Sequence, residues 1–295
     1  MDEADWLAAR FEEQRAHLRA VAYRMLGSLA EADDAVQNSW LRLAGADAGD
    51  VENLAGWLTT VVARECLNVL RARRGRREEP LDIHVPEPII MTEDRTDPES
   101  AALLADAVGL ALLVVLDTLA PAERLAFVLH DMFDVPFDEI APIVGRTPAA
   151  ARKAASRARR RVQGAAPVPD ADLGRQRQVV GAFLAAARDG DFEALVALLD
   201  PDVVLRVDAG ALPARASRVV RGAAAVAGLA LSFGRRNAEF ARLALVNGAA
   251  GIVAADRGRP VSVLGFSVSD GKIAEINILA DPARLSQLRL ADLDD

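Results

Sequence analysis

The sequence predicts a multidomain protein with two all-α domains, the second carrying a helix-turn-helix, followed by an α+β domain. Three observations support this. Apolar residues recur at helical spacing in the first half, an acidic proline-containing segment interrupts them, and short β-rich runs follow residue 200. The expected parts are a helical domain over residues 1–77, a linker over 78–106, a helical domain over 107–164, a linker over 165–174 and an α+β domain over 175–295.

The composition favours several hydrophobic cores and a localised basic surface. The chain has 295 residues, a formal net charge of −8 and one cysteine, Cys66. The negative charge argues against general affinity for nucleic acid. A single cysteine excludes an intrachain disulfide and a cysteine metal cluster, and we expect no metal and no cofactor. The acidic start and the short apolar run over residues 107–116 predict a cytoplasmic protein with no membrane partner.

The first domain is predicted to contain three helices. The first covers about residues 10–30, and Ser28 with Glu31 has the capping-box pattern that starts the second. The third covers about residues 52–74 and runs into five arginines within residues 71–77. Arginines at a helix end favour its dipole, but five exceed what a helix end needs, so we expect contact with nucleic acid.

In the second helix, an apolar stripe opposes a polar face. The stripe contains Ala32, Val36, Trp40 and Leu43, while the polar residues Asp33, Asp34, Gln37 and Asn38 lie mostly outside it. Taken alone, this is an ordinary amphipathic helix with acidic residues near its positive end.

The linker is predicted to be extended because its charges repel one another. Residues 78–106 contain nine acidic residues and one basic residue, Arg95. An apolar stretch over residues 83–90 interrupts this acidic composition, and we expect it to dock on another part of the protein. His84 within it is more simply explained as a packed side chain than as a ligand.

The second domain ends in a predicted helix-turn-helix. Helices are expected over residues 101–119 and from Pro121, and a further helix places Ile140, Ile143 and Val144 on its inner face. Gly145 suits a left-handed exit from that helix. Thr147 then caps the next helix, with Pro148 at its first position.

That last helix has a small apolar stripe and a basic remainder. The stripe contains Ala151, Ala155, Ala158 and Val162, and the residues outside it are Arg152, Lys153, Ser156, Arg157, Arg159 and Arg160. A solvated helix whose arginines only favour its C-terminal end is the alternative, but Arg152 and Lys153 lie near the other end. The pattern therefore predicts a recognition helix for the DNA major groove.

The last domain is predicted to be α+β with a curved antiparallel sheet. Helices are expected over residues 179–187, 192–199 and 222–231, and strands over residues 203–208, 239–246, 251–255, 260–268 and 272–279. Asp270-Gly271 predicts a tight hairpin between the last two strands.

Three stretches together resemble the extracytoplasmic-function (ECF) sigma factors of bacteria, within the group that carries a SnoaL-like C-terminal extension. They are residues 33–41, residues 56–71 and residues 119–162. The resemblance implies a conical-barrel α+β domain that tunes activity, and binding to core RNA polymerase and promoter DNA. It further implies contact with the β′ clamp helices and the β flap of polymerase. We expect no enzymatic activity, because the C-terminal domain has few residue types suited to acid–base chemistry.

The resemblance also implies site residues. For polymerase binding these are Asp33, Asp34, Gln37, Asn38, Trp40 and Leu41. For the −10 promoter element they are Asn68, Arg71, Arg73, Arg74, Arg76 and Arg77. For Asn68, an ordinary exposed polar residue is an equal explanation. For the −35 element they are Thr147, Arg152, Lys153, Ser156, Arg157, Arg160 and Arg161. Among these, Arg160 and Arg161 are expected on phosphates, and the candidates for base edges are Arg152, Lys153, Ser156 and Arg157.

Three short motifs are expected to make regulatory contacts between domains. They comprise Val85, Pro86, Glu87 and Pro88 in the linker, Asp189, Gly190 and Asp191, and Asp281, Pro282 and Leu285. The first resembles the group's Trp-Leu-Pro-Glu-Pro motif with His84-Val85 replacing Trp-Leu, and the last resembles Asn-Pro-Asp-Lys-Leu with three substitutions. Helix termination and capping are an equal explanation for the two aspartates of the second motif.

Two other functions stay open at the level of sequence. One is a ligand-sensing DNA-binding regulator that acts without polymerase, and the other is a SnoaL-type enzyme with a DNA-binding appendage. After residue 170 there is no His, Cys, Tyr or Trp, so acid–base chemistry would fall on Asp208, Glu275 or Lys272. A small ligand in this domain stays open as well, and the sequence names no anti-sigma factor, promoter, signal or oligomeric state.

Overall fold

The described residues 3–45 and 53–76 form three helices, α1 (Glu3–Leu26), α2 (Leu29–Ala44) and α3 (Leu54–Arg76). The structure is a computed structural model that describes residues 3–45, 53–76, 83–91, 109–165, 169–210, 217–257 and 259–288. Helix α1 ends four residues before its predicted end because Gly27 turns left-handed with φ 69°. Ser28 then caps α2 by accepting the Glu31 N–H at 3.4 Å, as predicted.

Four helices and a π-helical turn lie within the described residues 109–165. They are α4 (Leu110–Asp117), α5 (Pro121–Phe127), the π-helix Val128–Met132, α6 (Phe137–Val144) and α7 (Pro148–Ala165). Gly145 has φ 69° and ψ 41°, which confirms the predicted left-handed exit from α6. Thr147 accepts the Ala150 N–H at 3.3 Å and starts α7. Residues 101–108 of the predicted linker and helix lie outside the described residues.

The chain divides into two compact units. The first contains residues 1–80 and 115–165, and the second contains residues 81–114 and 166–295. The two predicted helical domains thus pack as one unit up to residue 165, and the described part of the linker belongs to the unit of the α+β domain. None of the described helices is long and apolar enough to cross a membrane.

Within the first unit, Arg124 of α5 joins the two groups of helices. Its guanidinium is almost fully buried and donates to the Arg24 carbonyl at 3.1 and 3.2 Å and to Asp117 Oδ1 at 3.0 Å. Burial lowers the pKa of the Arg124 guanidinium, and the Asp117 carboxylate opposes that shift. Burial likewise raises the pKa of the Cys66 thiol to about 12, so this thiol is a core side chain.

The second unit combines helices with a seven-stranded sheet. The helices are α8 (Leu173–Asp189), α9 (Phe192–Leu198), α10 (Ala223–Asn237), the 3-10 turn Ala238–Phe240 and α11 (Pro282–Leu285). The strands are β1 (Ile90–Met91), β2 (Leu199–Asp208), β3 (Arg218–Arg221), β4 (Ala241–Val246), β5 (Ala249–Asp256), β6 (Arg259–Ser269) and β7 (Lys272–Leu279). Their order in the sheet is β1-β4-β5-β6-β7-β2-β3.

The expectation of a purely antiparallel sheet is wrong at one pairing. Strands β2 and β7 run parallel, with Leu205 opposite Ile276, and a crossover through α10 and the four strands β3–β6 separates them along the chain. The hairpin prediction is confirmed, since Asp270 and Gly271 both have positive φ, 52° and 72°. Strands β1 and β3 were absent from the sequence-based prediction, and both are short edge strands.

One face of this sheet packs on α8, α9 and α10 to form the core of the second unit. Val180, Leu195, Leu205, Val226 and Ile276 are all buried there. Helices α8 and α10 approach closely at Gly234, where an added Cβ would lie 2.1 Å from the Ala187 carbonyl oxygen. This arrangement confirms the predicted α+β class of the domain.

Candidate nucleic-acid interface and linker anchor

Helix α7 separates a buried alanine face from an exposed basic face. Ala151, Ala154, Ala155 and Ala158 are buried against the unit. The predicted −35 residues Thr147, Arg152, Lys153, Ser156, Arg157, Arg160 and Arg161 are all exposed. The small alanine side chains let α7 approach its neighbours closely, and the basic residues remain outside. This geometry suits insertion of a helix into a DNA groove.

Two acidic residues of the same unit bind part of this basic face. Glu123 of α5 accepts from Arg157 Nε at 2.6 Å and lies 3.6 Å from Arg161 Nη1. Asp131 of the π-helix accepts from Arg159 Nε at 2.7 Å. Three of the arginines are therefore oriented by carboxylates, a feature that helical periodicity alone does not reveal.

The start of α7 is held differently. The Arg152 guanidinium carbon lies 5.3 Å from the centre of the Phe137 ring, a cation–π contact. The Phe137 ring also stacks on His130, with ring centres 3.8 Å apart. This aromatic support orients Arg152 near the N-terminal end of α7.

The predicted −10 residues at the end of α3 fall into two classes. Asn68, Arg71 and Arg74 are exposed. Arg73 is half-buried, donates to the Leu26 carbonyl at 3.0 Å and forms an ion pair with Glu31. The Arg76 side chain and Arg77 lie outside the described residues. In this structure Arg73 ties α3 to the α1–α2 turn.

The predicted polymerase-binding residues share one face of α2. Asp33, Asp34, Gln37, Asn38 and Leu41 are exposed, and Leu41 exposes 62% of its surface. Trp40 is half-buried and packs on Phe11 with ring centres 5.1 Å apart. Arg19 binds Asp33 at 2.6 Å. The face thus combines carboxylates, amides and one exposed apolar side chain.

In the second unit, the linker is held by three residues that we call the linker anchor: Asp208, Asn247 and Arg284. The Val85 N–H donates to Asp208 Oδ2 at 2.8 Å, and Arg284 Nη2 donates to the Val85 carbonyl at 2.6 Å. Arg284 Nη1 also donates to Asp208 Oδ2 at 2.7 Å. One ion pair therefore satisfies both backbone groups of Val85, whose side chain is fully buried.

Asn247 holds the linker further along. The Ile89 N–H donates to Asn247 Oδ1 at 3.1 Å, and the Asn247 N–H donates to the Ile89 carbonyl at 2.8 Å. Asn247 lies in the β4–β5 turn with φ 52°. The linker then continues as β1, which pairs with β4. The predicted docking of residues 83–90 is thus found on the α+β domain.

The other motifs have local roles in this structure. Gly190 ends α8 with φ 77°, and Asp191 caps α9 by accepting the Ala194 N–H at 2.9 Å. Asp281 caps α11, Pro282 is its first residue and Leu285 is buried. Helix capping accounts for these contacts, and α11 in turn presents Arg284 to the linker.

The two carboxylates considered for acid–base chemistry are both engaged. Asp208 belongs to the linker anchor. Glu275 binds Arg206 Nη1 at 2.7 Å and accepts from the Asn277 side-chain amide at 2.8 Å. Among the described residues, no group of three or more His, Cys, Asp or Glu is placed to hold a metal ion.

Sequence reasoning missed Arg284 and Asn247 as contacts of the linker. Arg284 lies inside the 281–285 motif, so the motif itself was the available signal. The Asn247-Gly248 pair predicts a hairpin turn, but it gives no indication of contact with the linker.

Comparisons with known proteins agree with this architecture. The family model of Sigma-70 region 2 matches residues 11–76, and that of Sigma-70, region 4 matches residues 109–162. The ECF RNA polymerase sigma factor SigJ of Mycobacterium tuberculosis is 40% identical, over 94% of this chain and 93% of the relative. The probable ECF RNA polymerase sigma factor SigI of the same species is 35% identical, over 98% of each chain.

A solved structure extends the similarity to three dimensions. The crystal structure of the M. tuberculosis extracytoplasmic function sigma factor SigJ superposes with a TM-score of 0.77 at 37% identity, covering 95% of this chain and 98% of that one. The chain therefore belongs to the extracytoplasmic-function sigma factors, which bind core RNA polymerase and promoter DNA and direct promoter-specific initiation of transcription, and it carries an α+β domain after its two sigma regions.

Proposed function

We propose that α2 binds the β′ clamp helices of polymerase and that the linker anchor restrains a sigma factor whose other surfaces read the promoter. The exposed face of α2 supports the first part. Leu41 projects an apolar side chain from among Asp34, Gln37 and Asn38, and an exposed apolar group within a polar rim is typical of a protein-binding surface. The β flap is assigned to region 4 by family resemblance alone.

Promoter recognition is assigned to the exposed cations. For the −35 element, Arg152, Lys153 and Ser156 lie nearest the start of α7 and suit base edges, while Arg160 suits a phosphate. For the −10 element, Asn68, Arg71 and Arg74 form the exposed set on α3. The observation that carries this proposal is that α7 buries its alanines and exposes its basic face.

Replacing Leu41 tests the polymerase surface. We expect Leu41→Glu to weaken binding of core RNA polymerase at least about tenfold, because a carboxylate would have to be desolvated where an apolar group was buried. Binding would be measured with the purified full chain, together with promoter-directed transcription. Val219→Glu is the matched control, since Val219 is 44% exposed on an edge strand of the other unit. Equal affinities for the two variants would rule out α2 as the binding surface.

The linker anchor supports a regulatory role for the C-terminal domain. It holds the backbone of the segment that connects the two sigma regions. A sigma factor must place both regions on promoter DNA at once, so a linker fixed at Val85 and Ile89 limits the positions they can adopt. Release of the linker would increase the number of positions that the two sigma regions can adopt.

Replacing Arg284 tests this role. Arg284→Met removes the hydrogen bonds to Val85 and Asp208 while retaining the length of the side chain. We expect promoter-directed transcription to rise about tenfold, since hydrogen bonds to a charged group contribute about 1.5–3 kcal/mol each. Arg242→Met, an exposed arginine on β4, is the control. If limited proteolysis shows the linker released while transcription is unchanged, the anchor does not restrain the protein.

A further inference from the structure

A basic cleft lies within the first unit. It has a volume of about 760 Å³ and opens between the end of α3, the start of α5 and the turn of the helix-turn-helix. Its lining includes Arg71 and Arg74 of α3, Ala120 and Pro121 at the start of α5, and Gly145 and Arg146 of the turn. Three of them are arginines and none is acidic. The two sigma regions therefore both contribute positive charge to one concave surface.

The arginines of the cleft differ from their neighbours in their partners. Arg73, between two of them on α3, is bound by Glu31 and the Leu26 carbonyl. On α7, Arg157 is bound by Glu123. Within the described part of the chain, no carboxylate forms an ion pair with Arg71, Arg74 or Arg146, and all three are exposed. Their guanidinium N–H groups are available to an anion from outside the protein.

The chemistry of three guanidinium groups selects a narrow class of anion. A guanidinium presents parallel N–H donors that match two oxygens of a phosphate, and it keeps its charge at any physiological pH. Three groups around one concavity match an anion with several linked phosphates better than a single phosphate. A volume of about 760 Å³ falls within the usual range for small-molecule sites.

We propose that this cleft binds a small polyphosphate anion of the size of a nucleoside triphosphate. Bound there, the anion bridges Arg71 and Arg74 of region 2 to Arg146 of region 4 and stabilises their packing. Arg71 and Arg74 are also the residues proposed for −10 DNA, so this second consequence rests on the proposed function: polyphosphate and −10 DNA exclude one another. Arg146 belongs to neither proposed DNA surface, which allows the two roles to be tested separately.

Binding of inorganic tripolyphosphate to the full-length protein, measured by calorimetry at constant ionic strength, tests the cleft. We expect Arg74→Gln and Arg146→Gln each to weaken binding about tenfold, the usual effect of losing one charge-assisted contact. Arg175→Gln, which removes an exposed arginine of the other unit, should leave the affinity unchanged. Equal affinities of all three variants, or equally tight binding of sulfate, would overturn the proposal.

A nucleoside triphosphate and single-stranded −10 DNA complete the experiment. If the nucleotide and tripolyphosphate bind equally tightly, the cleft recognises the phosphates alone. If the nucleotide binds more tightly, and Arg146→Gln abolishes that binding, the cleft also holds the base. Both outcomes support the site. Tripolyphosphate should displace −10 DNA from the natural protein, and displacement from Arg146→Gln should need about tenfold more tripolyphosphate. Tripolyphosphate binding without any DNA binding would refute the −10 assignment and leave the cleft standing.

Discussion

At the residue scale, the basic face of α7 is divided between arginines that face solvent and arginines held by carboxylates. Glu123 alone contacts both Arg157 and Arg161. Both arginines are about half exposed, so these ion pairs contribute less than about 1 kcal/mol each to stability. Their greater effect is on the number of cations available to DNA phosphates.

Replacing Glu123 should release this pair of arginines. We expect Glu123→Gln to bind −35 DNA more tightly and to steepen the salt dependence of log K by about 1–2, because each new phosphate contact adds about 0.9 to the slope. The measurement is fluorescence anisotropy over a series of salt concentrations. Glu12→Gln, whose partner Arg15 lies on α1, is the control. An unchanged slope would mean that Arg157 and Arg161 already contact DNA beside Glu123.

At the element scale, the contact between α8 and α10 depends on a missing side chain. Gly234 allows α10 to approach the Ala187 carbonyl, where a Cβ would lie 2.1 Å from the oxygen. Gly228 occupies the same helix, but an added Cβ there would meet no atom within 4 Å. A side chain at Gly228 would therefore change only the helix propensity of α10, whereas one at Gly234 would also disturb its packing on α8.

Alanine at these two glycines should have opposite effects. Gly234→Ala should destabilise the second unit by about 2–3 kcal/mol, because overpacking forces the two helices apart. Gly228→Ala should stabilise it by up to about 1 kcal/mol, since alanine favours a helix over glycine. Denaturant unfolding of the full chain, followed by near-UV circular dichroism, measures both. A stabilising effect of Gly234→Ala would contradict the close approach of α8 and α10.

At the scale of the whole first unit, one buried arginine connects the helices of both sigma regions. Arg124 donates to the Arg24 carbonyl of α1 and to Asp117, and desolvation opposes its charge. A buried cation of this kind is stable only while its partner remains charged. The packing of region 4 on region 2 therefore depends on Asp117.

Removing that carboxylate should weaken the unit as a whole. We expect Asp117→Asn to reduce the free energy of unfolding by about 3–5 kcal/mol, since it leaves a buried charge without compensation. Glu13→Gln breaks an exposed pair with Arg10 and should change it by less than about 0.5 kcal/mol. Thermal unfolding of both variants gives the comparison, and similar melting temperatures would show that Asp117 does not compensate the charge of Arg124.

The sequence by itself determined the features that depend on near neighbours along the chain. Ser28 and Thr147 cap helices, Gly145 provides the turn, and Asp270-Gly271 forms the hairpin. A cap or a tight turn is formed within about four residues, so its signal is present in the local sequence. The expected division into two helical regions and an α+β domain rests on the same local patterns, whereas in the structure both helical regions belong to one compact unit.

Only the tertiary structure decided which side chains meet across elements. It paired Arg73 with Glu31, placed Asp208 and Arg284 on the backbone of Val85, and set β2 parallel to β7. Such contacts join residues that are distant along the chain, and packing of the hydrophobic cores brings them together. Residue type alone therefore indicates a basic surface, whereas the folded chain determines which of its arginines are available to DNA.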